Sequence, residues 1–328
     1  MTKIAIIGAG LSGLSLARML QVHAEVTLFE KSRGLSGRMA TRRAESYCFD
    51  HGAQYFTART PAFQHFIQPL IEAGVVERWH ARYVKFDGEQ VVERKNWMDD
   101  EPRYVFVPGM NRIGQHCSQG LNIQLNTRIN SLERHGTWQL TDDEGRRYPG
   151  FDWVISTTPA PQAVALLPET FHYHAAINSI EMRPCFSLML GFEQGLALDF
   201  DAAHVMNADV SWIAVNSHKP GRSDRFTLVV HSSEQYAATH IDDDREVVMQ
   251  HLIAETSRII GRDIGRAADY KTVHGWRYAN NATRTAQSTV FIDDKRQLAA
   301  CGDWCLGGRV EGAFTSALNL ANAMKERV

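Results

Sequence analysis

Three glycines sit where an apolar run gives way to helical spacing in "IAIIGAGLSGLSLARML", residues 4–20, and they raise the first chemical question. Residues 4–7 are apolar and mostly β-branched, as a strand buried on both faces requires. Gly8, Gly10 and Gly13 then form GxGxxG, and Leu14, Leu16, Ala17 and Leu20 resume at helical spacing. In a strand–turn–helix context each glycine has a task. Gly8 makes the tight turn, Gly10 lets backbone approach a pyrophosphate, and Gly13 allows close helix–strand packing. Leu11 and Ser12 open the helix, whose free N–H groups and positive dipole end favour phosphate. The next strand, "EVTLFE", ends at Glu30, 20 residues after Gly10, where a carboxylate can accept from both ribose hydroxyls. Lys31 follows and is assigned to the same site. These residues together predict a dinucleotide cofactor.

Two further stretches carry charge and glycine together. "KSRGLSGRMATRR" brings Gly34, Gly37, Arg38 and Met39, and "FDHGAQYFTAR" brings Gly52, Ala53, Gln54 and Tyr55. Arg38 after a glycine turn is suited to clamp an anion. Arg33, Arg42 and Arg43 are expected to form a solvated basic edge. Near the other end, "LAACGDWCLGGRVEGAFTSALNLANAM" predicts a buried strand, Gly302-Asp303, a glycine loop and a helix from Val310.

On these motifs the chain resembles the amine-oxidase-like flavoproteins, and its "SGRM" turn is similar to that of the renalase family within them. The likeness runs along essentially the whole chain, with its specific signals in the terminal motifs, "DHGAQYFTAR", "GWRYA" and "ACGD". It departs from the RxGGR turn of the wider superfamily because Leu35 and Ser36 separate the two glycines. The resemblance implies FAD, bound non-covalently, with Asp303 on the ribityl or phosphate segment. The helix opening with Val310, Glu311 and Ala313 would face the flavin N1/O2 edge, and Ile129 would contact adenine through its backbone. Gly37, Arg38, Met39, Gly52, Ala53, Gln54, Tyr55 and Gly302 complete the implied cofactor set. A positive helix end at N1/O2 would stabilise the negative charge that reduction places there.

These residues need a scaffold of the α/β class: a Rossmann-type FAD-binding domain with an interleaved mixed antiparallel-sheet substrate domain. We assign residues 1–60, 105–162 and 286–328 to the first, and 61–104 and 163–285 to a cap over the isoalloxazine. "RYVFVPGMNRIGQHC" predicts a strand, a turn and a helix, and "NIQLNTRINSLERHGTWQLTDDEG" a β-meander. The cap is expected to hold strands at "CFSLMLGFE", "SWIAVNS" and "RFTLVVHSS" and a helix near 244–260. A second GxGxxG is absent, and "GRDIG" at 261–265 follows a helical pattern, so a separate nicotinamide domain is not expected.

Composition narrows the class of function. The chain has 328 residues, 44% hydrophobic and 22% charged, with a formal net charge of -2, which is ample for two cores. Its scattered basic residues give no footprint for nucleic acid or an anionic membrane, and no run approaches a membrane span. Five dispersed cysteines lack metal-site spacing, no metal is expected, and Cys301 and Cys305 are read as structural. The N-terminus lacks a cleavable leader pattern, so a cytoplasmic protein is expected.

Amine oxidases of the superfamily carry a lysine on a strand of form KVxLxF, and the matching position in "SLMLGF" is Ser187. A donor that already releases hydride readily needs orientation more than a positioned base. The renalase resemblance implies oxidation of isomeric dihydronicotinamide dinucleotides, with hydride at ring position 2 or 6, to NAD(P)+, with O2 reduced to H2O2. Substrate-face candidates are His231, Trp276 and Tyr278, with no obligatory acid or base; Gln54, Tyr55 and Trp212 could join them. Amine oxidation, a desaturase or protoporphyrinogen-oxidase-like activity, and a purely structural flavin remain as rivals.

Overall fold

A computed structural model describes residues 1–98, 101–282 and 290–328. The expected domain boundary at 285–286 lies outside the described residues. The fold is α/β, organised by two large sheets. The first has six strands in the order Phe291–Asp293, Leu298–Ala300, Trp153–Ser156, Lys3–Ile7, Glu25–Phe29, Asn122–Gln124. All its pairings are parallel except that of Phe291–Asp293 with Leu298–Ala300. Strand Lys3–Ile7 is central, with Ile4 opposite both Trp153 and Val26, which explains its uninterrupted apolar sequence.

Helix Leu11–Leu20 follows the glycine turn and packs on the C-terminal helix Val310–Met324, where Ser12 Oγ donates to Ala313 O at 2.9 Å. A Cβ on Gly13 would lie 2.0 Å from Gly8 O, so the helix can sit this close to the first strand only with glycine there. Helix Pro61–Glu72, assigned to the cap in the sequence reading, packs Phe63 and Phe66 against Phe314 of the same C-terminal helix.

One expected element divides. The meander is three strands, Ile129–His135, Thr137–Asp142 and Arg147–Phe151, whereas Asn122–Gln124 leaves it and pairs in parallel with Glu25–Phe29. Asn122 donates through Nδ2 to Thr27 Oγ1, a side-chain tie that alternation alone does not signal.

The second sheet has seven strands in the order Tyr270–Asn281, Met182–Phe192, Phe226–Ser232, Val210–Val215, Ala202–Met206, Arg82–Asp87, Gln90–Asn96. It is mixed, because Ala202–Met206 runs parallel to Arg82–Asp87 while the other pairs are antiparallel. One face packs on helix Arg245–Ile260, burying Phe186, Leu188, Leu190, Val230, Val248 and Leu252. Each such side chain contributes about 1.5–3 kcal/mol by burial. Asp244 caps this helix by accepting from Glu246 and Val247 N–H, and Gly261 ends it in the left-handed conformation at φ 65°. The "GRDIG" segment is therefore a helix terminus. The opposite face of the sheet looks toward the first sheet and its glycine turn.

Candidate active site

A cavity of about 2140 Å³ runs between the two sheets. That exceeds the usual volume for a single small ligand and suits a dinucleotide together with a second molecule. Its lining contains Gly8, Gly10, Leu11 and Ser12 at one end, with Glu30, Lys31 and Ile129 beside them. Gly37, Arg38, Met39, Gly52, Ala53, Gln54 and Tyr55 line its middle, together with Asp303, Val310, Glu311 and Ala313 from the far end of the chain. Among the residues read as cofactor-binding, Gly13 and Gly302 are not in the lining. Gly13 faces Gly8 O, and a Cβ on Gly302 would meet the Trp304 indole.

Local chemistry explains how these residues are held. Glu30 accepts from Ala9 N at 2.8 Å and Ser32 N at 2.9 Å, which fixes its carboxylate beside the glycine turn. A Cβ on Gly10 would meet nothing within 4 Å, so open space lies where backbone could approach a pyrophosphate. Arg38 and Asp303 are joined directly, with Nη2 donating to Oδ1 at 2.5 Å, while Nη1 donates to Ala279 O at 2.8 Å. Two motifs 265 positions apart thus form one charge-assisted contact. Glu311 accepts from Arg59 N, Thr60 N and Thr60 Oγ1, holding Thr60, which caps helix Pro61–Glu72 by accepting from Phe63 N–H. Fitted to FAD, the open glycine turn, the helix end at Val310 and the cavity volume are compatible with the group.

The sheet side of the cavity is built by register. His274, Ser187, His231 and Trp212 are successive cross-strand partners on four adjacent strands, so they form one row on one face. Cys185 and Trp276 pair alongside. Trp276 stacks on His51 with ring centroids 5.3 Å apart and donates its indole N–H to His51 O at 2.8 Å. Tyr55 lies 5.8 Å from Trp212 between ring centroids, and Tyr278 also lines the cavity. Three buried polar atoms here have no hydrogen-bond partner among the described residues: Ser187 Oγ, His51 Nδ1 and Trp212 Nε1.

This face is kept uncharged. Burial, with Lys219 and His51 nearby, pushes the His231 imidazole down to about 3. Burial, with His274 and Arg42, pushes His51 down to about 4, and burial with Arg42 and Arg245 lowers His274 as well.

Behind it lies a buried ion cluster that the sequence reading did not single out. Asp50 Oδ2 accepts from Arg222 Nη2 at 2.6 Å and Nε at 3.1 Å, and lies 3.5 Å from Lys219 Nζ. Its Oδ1 accepts from Thr41 Oγ1 and Met110 N. Burial would raise the Asp50 pKa, but Lys219 and Arg222 outweigh it and hold the carboxyl below its ordinary value. Lys219 Nζ also donates to Gln54 Oε1 at 3.0 Å, and Gln54 Nε2 sits 3.2 Å from His231 Nε2. Such pairs, 165 or more positions apart, leave no local pattern.

His51 and His274 were also missed, although period-two alternation with Trp276 in "HGWRY" places His274 on the same face. Arg42 differs from expectation: it is half-buried and lines the cavity rather than lying on a solvated edge. Exposed Arg33 and Arg43 line its rim. Among the described residues no helix is long and apolar enough to cross a membrane.

Comparison with known proteins agrees with this geometry. Residues 90–325 match the family model for flavin containing amine oxidoreductases, and residues 6–70 that for NAD(P)-binding Rossmann-like domains. Renalase of Mus musculus is 21% identical over the full length of both chains. Among solved structures, a protein of Exiguobacterium sp. 255-15 provisionally assigned as a protoporphyrinogen oxidase superposes with a TM-score of 0.80 at 14% identity, covering 100% of this chain and 99% of its own. A putrescine oxidase variant redesigned for cofactor binding gives 0.72 at 13% identity, with the same coverage.

Proposed function

The chain belongs to the flavin containing amine oxidoreductase family and is an FAD-dependent oxidoreductase, and from that premise we propose that it oxidises isomeric dihydronicotinamide dinucleotides. The substrate carries its transferable hydride at ring position 2 or 6, the product is NAD(P)+, and O2 is the final acceptor. The balance is one dinucleotide, one O2 and one proton to one NAD(P)+ and one H2O2. Bound FAD supplies the hydride acceptor.

The observation that carries this reading is the uncharged row His274–Ser187–His231–Trp212 across the cavity. A dihydronicotinamide becomes a cationic aromatic ring as hydride leaves. Neutral imidazoles and indole faces tolerate that charge, whereas an ammonium or imidazolium opposite it would raise the barrier. In the match of "SLMLGF" to the amine-oxidase strand KVxLxF, Ser187 stands at the lysine position, and the buried Lys219 is held behind Gln54. Trp212, Trp276 and Tyr278 would stack on the substrate, and His231 and Gln54 would orient it.

In the same reading Gly8, Gly10, Leu11 and Ser12 hold the FAD pyrophosphate and Glu30 the ribose. Arg38 and Asp303 join the two halves of the site, and the flavin is non-covalent. We place the protein in the cytoplasm, where its five free thiols would persist.

The test is anaerobic stopped-flow mixing. The 2- and 6-dihydro isomers should bleach the flavin within roughly a second, and ordinary 4-dihydro NADH on the order of 10²-fold more slowly, because a pose aligned for carbon 2 or 6 misplaces carbon 4. Faster reduction by benzylamine or a polyamine than by either isomer would overturn the reading.

A further inference from the structure

The buried cluster behind the sheet face does more than neutralise charge. We propose that Lys219 is a positioning residue: through Gln54 it holds His231 as the neutral Nδ1–H tautomer, whose N–H is offered to a carbonyl acceptor of the substrate. The donor's substrate rests on the function proposed above; the tautomer does not.

The argument follows from which groups can donate. A lysine ammonium has three donors and no acceptor, so the Gln54 atom 3.0 Å from Lys219 Nζ must be the amide oxygen. That contact and two backbone carbonyls at the amide nitrogen together fix the amide orientation. The amide nitrogen then faces Asp50 O at 2.6 Å, Gly52 O at 3.1 Å and His231 Nε2 at 3.2 Å. An amide NH2 only donates, and two of its three neighbours are backbone carbonyls. A lone pair on His231 Nε2 is the state that leaves no donor facing a donor at the 3.2 Å contact. A proton on Nε2, in the other tautomer or in the imidazolium, would set donor against donor.

The surroundings favour the same state. The Lys219 side chain is 0% exposed and the Asp50 side chain 1%. Burial, partly offset by Asp50, lowers the Lys219 pKa to about 8, so it remains an ammonium at neutral pH. That charge, together with burial and His51, disfavours a second proton on His231. His231 lines the cavity, and its Nδ1 has no hydrogen-bond partner among the described residues. The ring thus presents a donor that stays uncharged. It can bind an amide oxygen beside a nicotinamide without placing a cation opposite a ring that turns positive.

The experiment uses FAD-loaded protein with 15N-labelled histidine, long-range 1H–15N correlation, no nicotinamide present, and His231→Gln to assign the signal. Wild type should show a protonated Nδ1 and a bare Nε2. In Lys219→Met the amide keeps its Asp50 and Gly52 carbonyl acceptors but loses its tie at Oε1, and the Nδ1–H signal should give way to a mixture with Nε2–H. In Gln54→Glu, which keeps Lys219 partnered but puts a carboxylate oxygen against the ring, it should move to Nε2–H. Circular dichroism and flavin absorbance confirm folding, and Gln54→Glu carries the test if Lys219→Met does not fold. An Nε2–H ring or an imidazolium in wild type, or an unchanged Nδ1–H pattern in the folded variants, would overturn the positioning role. Binding of NAD+, read from perturbation of the flavin spectrum, should weaken about tenfold in His231→Phe, the loss of roughly one hydrogen bond; unchanged affinity would remove the donor role. Because the tautomer is read without nicotinamide, its failure and that of the proposed substrate class are separate results.

Discussion

Replacing Asp50 by asparagine removes one charge from a cluster that contains three. Arg222, its side chain 1% exposed, would keep its charge with no anion in contact among the described residues, while Lys219, 0% exposed and its pKa already lowered to about 8 with Asp50 beside it, would fall further and shed its proton at neutral pH. Breaking a buried pair from one side costs about 3–5 kcal/mol, because the partner is left desolvated and unpaired. Unfolding entropy near 2.1 cal/mol/K per residue gives about 0.7 kcal/mol/K for this length, so the melting temperature should fall by roughly 4–7 °C. Lys219→Met is a different perturbation. It leaves Asp50 with Arg222, Thr41 and Met110 as donors and removes a charge that burial already penalises, so its effect should stay below about 2 kcal/mol. Adding Lys219→Met to Asp50→Asn should cost less than the sum of the two single losses, since Lys219 has already lost its ion-pair partner and its proton there. Calorimetric melting of the FAD-loaded proteins measures all three. Equal melting temperatures for wild type and Asp50→Asn, or simple addition of the two losses in the double variant, would refute the reasoning.

Three further outcomes are expected. Glu30→Ala should weaken FAD by on the order of 1.5–3 kcal/mol, or roughly 10- to 100-fold, in titrations of apoprotein, through loss of charge-assisted hydrogen bonds; unchanged affinity would count against the ribose assignment. Acid precipitation should leave the yellow flavin in the supernatant, and colour retained in the pellet would contradict non-covalent binding. His51 accepts its proton near 6.5 when unfolded but only near 4 when folded, so its contribution to stability is complete above pH 6.5 and is lost as pH falls toward 4. The loss reaches about 3 kcal/mol, and His51→Asn should flatten the dependence of melting temperature on pH over that window; an identical slope would show that other groups govern it.

The parts of the molecule legible in the sequence are those whose physics is local. The glycine turn, the strand ending at Glu30, the helix from Val310 and the cap strand around Ser187 each follow from a few adjacent residues, and the structure has those elements. Asn122–Gln124 was misassigned because a three-residue strand carries too little pattern to choose between an antiparallel neighbour and a parallel one. Lys219 and Arg222 sit in "HKPGR", which looks like a solvated turn until the fold brings Asp50 against it. Ser187 could be placed by matching one strand, but its histidine neighbours come from two other strands and required the sheet register.

The tie between Arg38 and Asp303, and that between Ser12 and Ala313, join the first residues of the proposed flavin site to the last to be synthesised. At about 5–20 residues per second a chain of this length takes roughly 16–66 s to synthesise. For most of that time the glycine turn is outside the ribosome while the strand, loop and helix that close the site have not been made. On the proposed placement of the flavin, the apolar faces of Lys3–Ile7 and Leu11–Leu20 are made well before residues 303–313 join the cavity wall. A stop codon just before Cys301 would remove Asp303, Arg309, Val310, Glu311 and Ala313 from the cavity wall and should yield a colourless protein.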